Sequence, residues 1–168
     1  MKHAFSVISL ALALALPAAA FAQTDAQHAH GPAPTTPAVD VPQDAQAAVA
    51  IVDAFGKALS ASDFDQVEAL LDPAVIILET GGAERSREEY LGHHARSDAK
   101  FLSGTHSALS RRKARVDGDT AWVASESELH ASKDGKPMTL LSTETMVLNN
   151  TADGWRIVHI HWSSRPKK

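Results

Sequence analysis

The sequence predicts an α+β domain in which the helices come first and an antiparallel sheet comes last. Between positions 44 and 100, apolar residues recur three or four residues apart, which is the spacing of amphipathic helices. After Thr105 the pattern changes to β-branched segments separated by Asp-Gly turns at 117–118, 134–135 and 153–154. Strands joined by such turns form an antiparallel meander, and one of its faces must be covered. We therefore expect three N-terminal helices packed on a curved, mainly antiparallel sheet.

The first 43 residues are expected to lie outside this domain. A short basic start, an apolar run over 7–16 and the small-x-small pattern of 20–22 predict a secretory signal peptide at residues 1–22. The run is too short to remain in a membrane, so a secreted or periplasmic protein without a membrane span in its mature form is expected. Residues 23–43 are rich in Ala, Pro, Thr and Gln, which predicts a disordered tether. The folded domain is then expected at 44–164.

Composition excludes several classes of protein. The chain has no cysteine, which rules out disulfides and thiol chemistry. Its net charge of −4 makes nucleic acid a poor partner. The one basic cluster, at 111–115, is expected to be a solvated or edge-protecting strand face, with an anionic partner as the alternative.

Local signals place the helices and the first strand. Asp44 is expected to cap the first helix, and Asp63-x-x-Gln66 a short second helix that ends before Pro73. A β-branched strand over 74–80 follows. Ser86-x-x-Glu89 then predicts a third helix that continues to about residue 100.

Four strands are expected after Thr105, over 105–116, 120–132, 137–149 and 155–163. The last of them contains two tryptophans and two histidines. Strand alternation places His159 and His161 on one face, and Val158, Ile160 and Trp162 on the other.

This order of elements resembles the cone-shaped nuclear transport factor 2-like (NTF2-like) fold. That fold includes SnoaL-like polyketide cyclases, ketosteroid isomerases and exported domains of the DUF4440 type. The last two strands are also similar to the association (hub) domain of calcium/calmodulin-dependent protein kinase II. The matching residues are Ser142-x-Glu144-Thr145-x-Val147, Asp153-Gly154 and Trp155-x-Ile157-Val158-His159-x-His161-x-Ser163.

The resemblance implies which strand faces line the cone. The hub domain carries arginines that bind an anion at positions matching Glu126, Met146 and Trp162, and none of these is an arginine here. A neutral or cationic, largely apolar ligand is therefore expected, together with a homodimer formed through the outer face of the sheet. The residues expected to touch the ligand are Trp122, Glu126, Met146, Val158, Ile160 and Trp162.

Two groups of residues could carry acid–base chemistry. A glutamate of the set Glu126, Glu128 and Glu144 would have a raised pKa if it faced an apolar cone, although an ion pair or an exposed rim position is the alternative. Tyr90, His94 and Asp98 are spaced four apart on the predicted third helix, so Asp98 could orient His94, with Tyr90 as a hydrogen-bond donor. The alternative for this group is a solvated outer helix face.

No metal or cofactor is predicted. His159 and His161 could chelate a metal, but the expected face points them away from the cone, so we expect a structural role. His28 and His30 lie in the tether and are expected to be solvated.

Three functions remain open from the sequence. The leading hypothesis is a binding domain for a small molecule. The second is an isomerase, dehydratase or cyclase with Glu126 or Glu144 as the base and His94, Asp98 and Tyr90 in support. The third is a non-catalytic oligomerisation domain.

Overall fold

The computed structural model describes residues 36–168. The predicted signal peptide and the tether up to residue 35 lie outside this range. The elements are β1 (Ala38–Asp40), α1 (Gln46–Ser60), α2 (Phe64–Leu70), β2 (Leu71–Glu79), β3 (Gly82–Glu84), α3 (Arg87–Gly92), α4 (His94–Ser103), β4 (His106–Asp117), β5 (Thr120–Lys133), β6 (Lys136–Thr151) and β7 (Gly154–Pro166). None of the helices within 36–168 has the length and apolar character needed to cross a membrane.

Two of the three predicted helix caps form. The Asp63 carboxylate accepts a hydrogen bond from the Gln66 backbone N–H at 3.1 Å and opens α2. The Ser86 hydroxyl accepts one from the Glu89 N–H at 3.0 Å and opens α3. Asp44 does not cap α1, because it lies inside a 3-10 turn over Gln43–Ala45 that leads directly into the helix.

The predicted third helix is interrupted at His93. The His93 N–H donates to the Tyr90 carbonyl at 3.2 Å, and its backbone leaves the helical region at φ −124° and ψ −89°. This tight turn ends α3 at Gly92, and α4 starts at His94. The spacing from Tyr90 to Asp98 therefore crosses two helices rather than one continuous face.

The sheet has seven strands in the order β1-β4-β5-β6-β7-β2-β3. The four-strand antiparallel meander is confirmed as β4 to β7, and β2 extends it parallel to β7. The prediction of a disordered tether over 23–43 is wrong at Ala38–Asp40, because these residues form a strand that pairs in parallel with β4. The Asp40 carboxylate anchors this strand through Arg115, at 2.7 Å from Nη2.

The helices cover one face of the sheet and form the core with it. Phe55 and Leu59 of α1 and Tyr90 of α3 are almost completely buried. The sheet contributes alternate apolar residues, since every second side chain points to the helices. These residues are Val75, Ile77, Ala121, Val123, Met146, Leu148, Ile157 and Ile160.

The predicted inward face of β5 is wrong by one residue. Ala121, Val123 and Ser125 are buried, whereas Trp122 is 38% exposed on the opposite face. Glu126 also points outward, with its carboxylate 3.5 Å from Arg111 Nε. A one-residue offset exchanges the two faces of a strand, so neither Trp122 nor Glu126 lines the interior.

A β-bulge changes the alternation of β7. Val147 pairs with His159 while Leu148 pairs with Ile157, which leaves Val158 as the extra residue. Ile157 and Ile160 are both buried although they are three positions apart. Val158, predicted to face the ligand, is only partly buried at the bulge, because a bulge inserts one residue that does not follow the alternation.

Candidate functional site

A cavity of about 670 Å³ lies between the helices and the concave face of the sheet. Apolar side chains from α1, α4 and the sheet form part of its wall, including Phe55, Phe101 and Trp162. Its polar residues are more numerous than the sequence analysis expected. They are Asp53, Lys57, Ser60, Glu79, Thr80, Asp98, Thr105, Ser107, Arg112, Ser125, Ser127, Ser142, Glu144, Ser163 and Ser164.

One row of paired residues crosses the sheet along this wall. Each residue is the register partner of the next, on β4, β5, β6, β7 and β2 in turn. Because register partners in neighbouring strands point to the same face, the row presents its side chains together to the cavity. This polar row consists of Arg112, Ser125, Glu144, Trp162 and Glu79.

Glu144 occupies the centre of the polar row. Its Oε2 accepts a hydrogen bond of 2.9 Å from the Trp162 indole Nε1–H. Burial raises the pKa of the Glu144 carboxyl above its ordinary value, and the Trp162 hydrogen bond and the positive charge of Arg112 oppose that shift only in part. Glu144 is therefore a carboxyl group that can hold or release a proton closer to neutral pH than an exposed glutamate.

Arg112 adds a positive charge to the wall that the sequence analysis missed. Its Nε donates to the Ser125 hydroxyl at 3.1 Å, and its Nη1 lies 2.6 Å from Asp53 Oδ1. The expectation of no ligand-facing arginine considered only positions on the last three strands, whereas Arg112 comes from β4. Arg112 forms an ion pair with Asp53.

Trp162, which donates to Glu144, also packs against Tyr90, and Tyr90 forms a second polar group with Asp98 on the helices. The Trp162 ring stacks on Phe55 at 6.2 Å and lies 6.3 Å from the Tyr90 ring, measured between centroids. The Tyr90 hydroxyl donates to Asp98 Oδ2 at 3.1 Å. Burial raises the pKa of Asp98 despite that hydrogen bond, and burial together with the Asp98 charge raises the pKa of Tyr90. Asp98 lines the cavity, with Tyr90 buried behind it.

His94 does not have the partner that was predicted. Its Nδ1 contacts Glu84 Oε1 and lies 3.7 Å from Glu79 Oε1, while the hydrogen bond of Asp98 goes to Tyr90. The prediction that Asp98 orients His94 is therefore wrong. Because the helix is broken at His93, α4 starts at His94. The imidazole of His94 contacts the Glu79 and Glu84 carboxylates of the β2–β3 hairpin.

Glu79 and Glu84 were also missed by the sequence analysis. They flank the tight turn between β2 and β3, in which Glu79 pairs with Gly82 and Glu84 with Ile77. Both lie on the face that carries the buried Ile77 side chain. Two glutamates on either side of a Thr-Gly-Gly turn were the available signal, and it shows only that they are close, not that they face inward.

Apart from His94 and Val158, the predicted site residues separate into three groups. Glu144, Asp98 and Trp162 line the cavity. Met146 and Ile160 are buried in the core, and Tyr90 lies behind the wall. Trp122 and Glu126 lie on the outer face of the sheet, where the His159 Nδ1–H also donates to the Ile76 carbonyl at 2.9 Å.

Comparison with solved structures shows the same fold in several proteins. A proposed ketosteroid isomerase from Shewanella frigidimarina is 36% identical, with a TM-score of 0.67, and the match covers 70% of this chain and 94% of that one. A proposed association domain of calcium/calmodulin-dependent protein kinase II from Xanthomonas campestris is 24% identical, with a TM-score of 0.62, and the match covers 79% of this chain and 97% of that one. A proposed NTF2-like dehydratase from Streptomyces avermitilis is 23% identical, with a TM-score of 0.59, and the match covers 73% of this chain and 96% of that one.

These matches confirm the predicted α+β fold of NTF2-like type. No curated protein matches the chain. The model of the SnoaL-like domain matches residues 48–166, which is most of the chain and nearly all of the described domain. The chain therefore belongs to the family of SnoaL-like domains, within the NTF2-like fold.

Proposed function

We propose that the domain binds a small, neutral or cationic molecule in its cavity and transfers a proton to or from it through Glu144. This is chemistry of the isomerase or dehydratase type. The observation that carries the proposal is the partly buried Glu144 carboxyl, which lines the cavity, accepts a hydrogen bond from the Trp162 indole and has a pKa raised by burial. A general acid or base works best when its pKa lies near the operating pH.

The charges of the wall favour a neutral or cationic ligand. Glu79, Asp98 and Glu144 contribute acidic groups, while Arg112 is paired with Asp53. Phe55, Phe101 and Trp162 supply apolar contact for a hydrocarbon or aromatic part of the molecule. An anion would have to displace Asp53 from Arg112 in order to gain a strong partner.

Asp98 can act as the second polar group of the reaction. It lines the cavity, and the Tyr90 hydroxyl fixes its orientation at 3.1 Å. Because its pKa is raised, a larger fraction of Asp98 is protonated at a given pH than of an exposed aspartate. A protonated carboxyl can donate a hydrogen bond to an oxygen of the substrate. Glu144 would move the proton, and Asp98 would stabilise the charge that develops on that oxygen. The similarity to the proposed ketosteroid isomerase supports a reaction of the isomerase type.

The test measures proton exchange at carbon without requiring the natural substrate. The protein is incubated in D₂O with a panel of small cyclic ketones and enones, and loss of the α-proton signals is followed by NMR. The wild type is compared with Glu144→Gln, whose amide oxygen can still accept from Trp162, and with Glu126→Gln, an exposed glutamate that serves as the matched control.

The proposal is supported if the wild type and Glu126→Gln exchange the α-protons faster than the protein-free solution and Glu144→Gln does not. Ligand binding without exchange, seen as chemical-shift changes in the Trp162 indole, would leave a binding domain and exclude catalysis on this class. Equal exchange in the wild type and Glu144→Gln would contradict the role of Glu144.

We also propose that the domain forms a homodimer through the outer face of its sheet. A second row of register partners crosses that face and consists of Arg115, Trp122, Val147, His159 and Ile76. Trp122 and Ile76 are among the exposed large apolar residues, and large exposed apolar side chains are typical of interfaces. Sedimentation equilibrium of the wild type and Trp122→Glu tests the proposal. A dimer that dissociates in the variant supports it, and a wild-type monomer contradicts it.

A further inference from the structure

We propose that Glu79, Glu84 and His94 bind one divalent transition-metal cation of the Zn²⁺ class at the edge of the cavity. The three residues come from the two strands of the β2–β3 hairpin and the first position of α4. One ligand atom from each lies within 4.8 Å of the other two. This site is separate from Glu144 and does not depend on the proton transfer proposed above.

The spacing of the three ligand atoms is compatible with a small cation. Zn²⁺ binds nitrogen and carboxylate oxygen at about 2.0–2.2 Å, so two of its ligands in a tetrahedron lie roughly 3.4 Å apart. The distance from His94 Nδ1 to Glu79 Oε1 is 3.7 Å, and the same nitrogen contacts Glu84 Oε1. A cation placed among these atoms requires the His94 imidazole and the Glu84 carboxylate to move apart to the separation of two metal ligands.

Glu84 supplies an independent observation that points to a ligand. Its side chain is only 3% exposed, and its Oε2 has no hydrogen-bond partner within residues 36–168. A buried carboxylate oxygen without a partner is costly, and an ion or a water is the usual explanation for one in a native protein. A bound cation would compensate the charge of the buried Glu84 carboxylate.

The local charge balance favours a cation. Within residues 36–168, no Lys or Arg forms an ion pair with Glu79, Glu84 or Asp98. Two carboxylates, Glu79 and Glu84, therefore share one imidazole, whose charge is at most +1.

The donor set indicates the class of metal. One imidazole nitrogen with two carboxylate oxygens suits Zn²⁺ and its first-row neighbours, whereas Mg²⁺ and Ca²⁺ prefer oxygen ligands alone. Three protein ligands leave at least one position open, as in catalytic rather than structural zinc sites. Glu79 lines the cavity, so an open position there could hold water or an oxygen of the ligand.

The test is a titration of the metal-free full chain, purified without a histidine tag. Zn²⁺ binding is measured in competition with a chromophoric chelator, and Co²⁺ is used as a spectroscopic probe. His94→Ala is matched with His130→Ala, and Glu84→Gln is matched with Glu126→Gln; His130 and Glu126 are both substantially exposed. All other histidines, including His28 and His30, remain in every variant, so their contribution cancels.

The wild type and both controls should bind one Zn²⁺ tightly. His94→Ala and Glu84→Gln should lose at least about 100-fold in affinity, because even groups that only orient metal ligands account for 10- to 100-fold. Circular dichroism checks folding; if Glu84→Gln does not fold, Glu79→Gln replaces it. Identical curves for the wild type and the site variants would overturn the site. Tighter binding of Ca²⁺ or Mg²⁺ than of Zn²⁺ would overturn the proposed metal class.

Discussion

The centre and one end of the polar row differ in how the charge of their carboxylates is compensated. Glu144, in the middle of the polar row, has an indole donor at 2.9 Å and the charge of Arg112 nearby. Glu79, at the end of the row, shares a single imidazole with Glu84, and one Glu84 oxygen has no partner among the described residues. A carboxyl whose charge is partly compensated is suited to exchanging a proton. A group of carboxylates short of positive charge is suited to binding a cation.

The largest expected effect is the loss of proton exchange in Glu144→Gln. General acid–base groups contribute roughly 100- to 10,000-fold to a rate, and the exchange rate measured by NMR should fall by that amount. His94→Ala should reduce the same rate far less if Glu144 and the Glu79, Glu84 and His94 cluster act separately. Equal losses in both variants would show that they form one site.

A second effect separates the inner tryptophan from the outer one. Trp162→Ala leaves a cavity beside Phe55 and Tyr90 and removes the donor to Glu144. Its free energy of unfolding should fall by at most about 3–5 kcal/mol, the range for aromatic truncations in a core, because Trp162 is only partly buried. Trp122→Ala, measured by urea denaturation at a concentration at which the protein is monomeric, should lose much less. Similar losses would contradict the assignment of the two faces of β5 and β7.

A smaller effect is expected from Tyr90→Phe. The ring that packs against Trp162 is kept, but Asp98 loses the hydroxyl that donates at 3.1 Å. Leaving a partly buried carboxylate without its donor should cost about 1–3 kcal/mol in the free energy of unfolding. The pKa of Asp98, followed by NMR of its side-chain carboxyl carbon, should rise further. An unchanged pKa would show that Tyr90 does not act on Asp98.

The smallest effect is a pH dependence of stability caused by Glu144. Its pKa is higher in the folded protein than in the unfolded chain, so the folded state binds more protons. Its contribution is therefore fully present below the unfolded pKa and is lost as pH rises through the folded pKa. The free energy of unfolding of the wild type should fall over that interval relative to Glu144→Gln. Parallel pH profiles of the two proteins would contradict the raised pKa.

Local signals in the sequence predicted most of the architecture. The caps at Asp63 and Ser86 and the Asp-Gly turns act over a few residues, and α2, α3 and the meander form where they predict. The prediction of a disordered tether was wrong at residues 38–40, because these residues are ordered by pairing with β4, which is a long-range contact and not a local signal. The helix break at His93 was missed as well, although Gly92 immediately before it is a residue that disfavours the interior of a helix.

The sequence determined the order of the elements and the presence of Glu144, Trp162, Asp98 and Tyr90 among the candidate residues. Only the tertiary structure decided which side of each strand faces the cavity. Period-two alternation assigns a face only relative to a known register, and the bulge at Val158 and the one-residue offset on β5 changed it. The polar row and the Glu79, Glu84 and His94 cluster join residues distant in the chain, and strand pairing and the position of α4 bring them together.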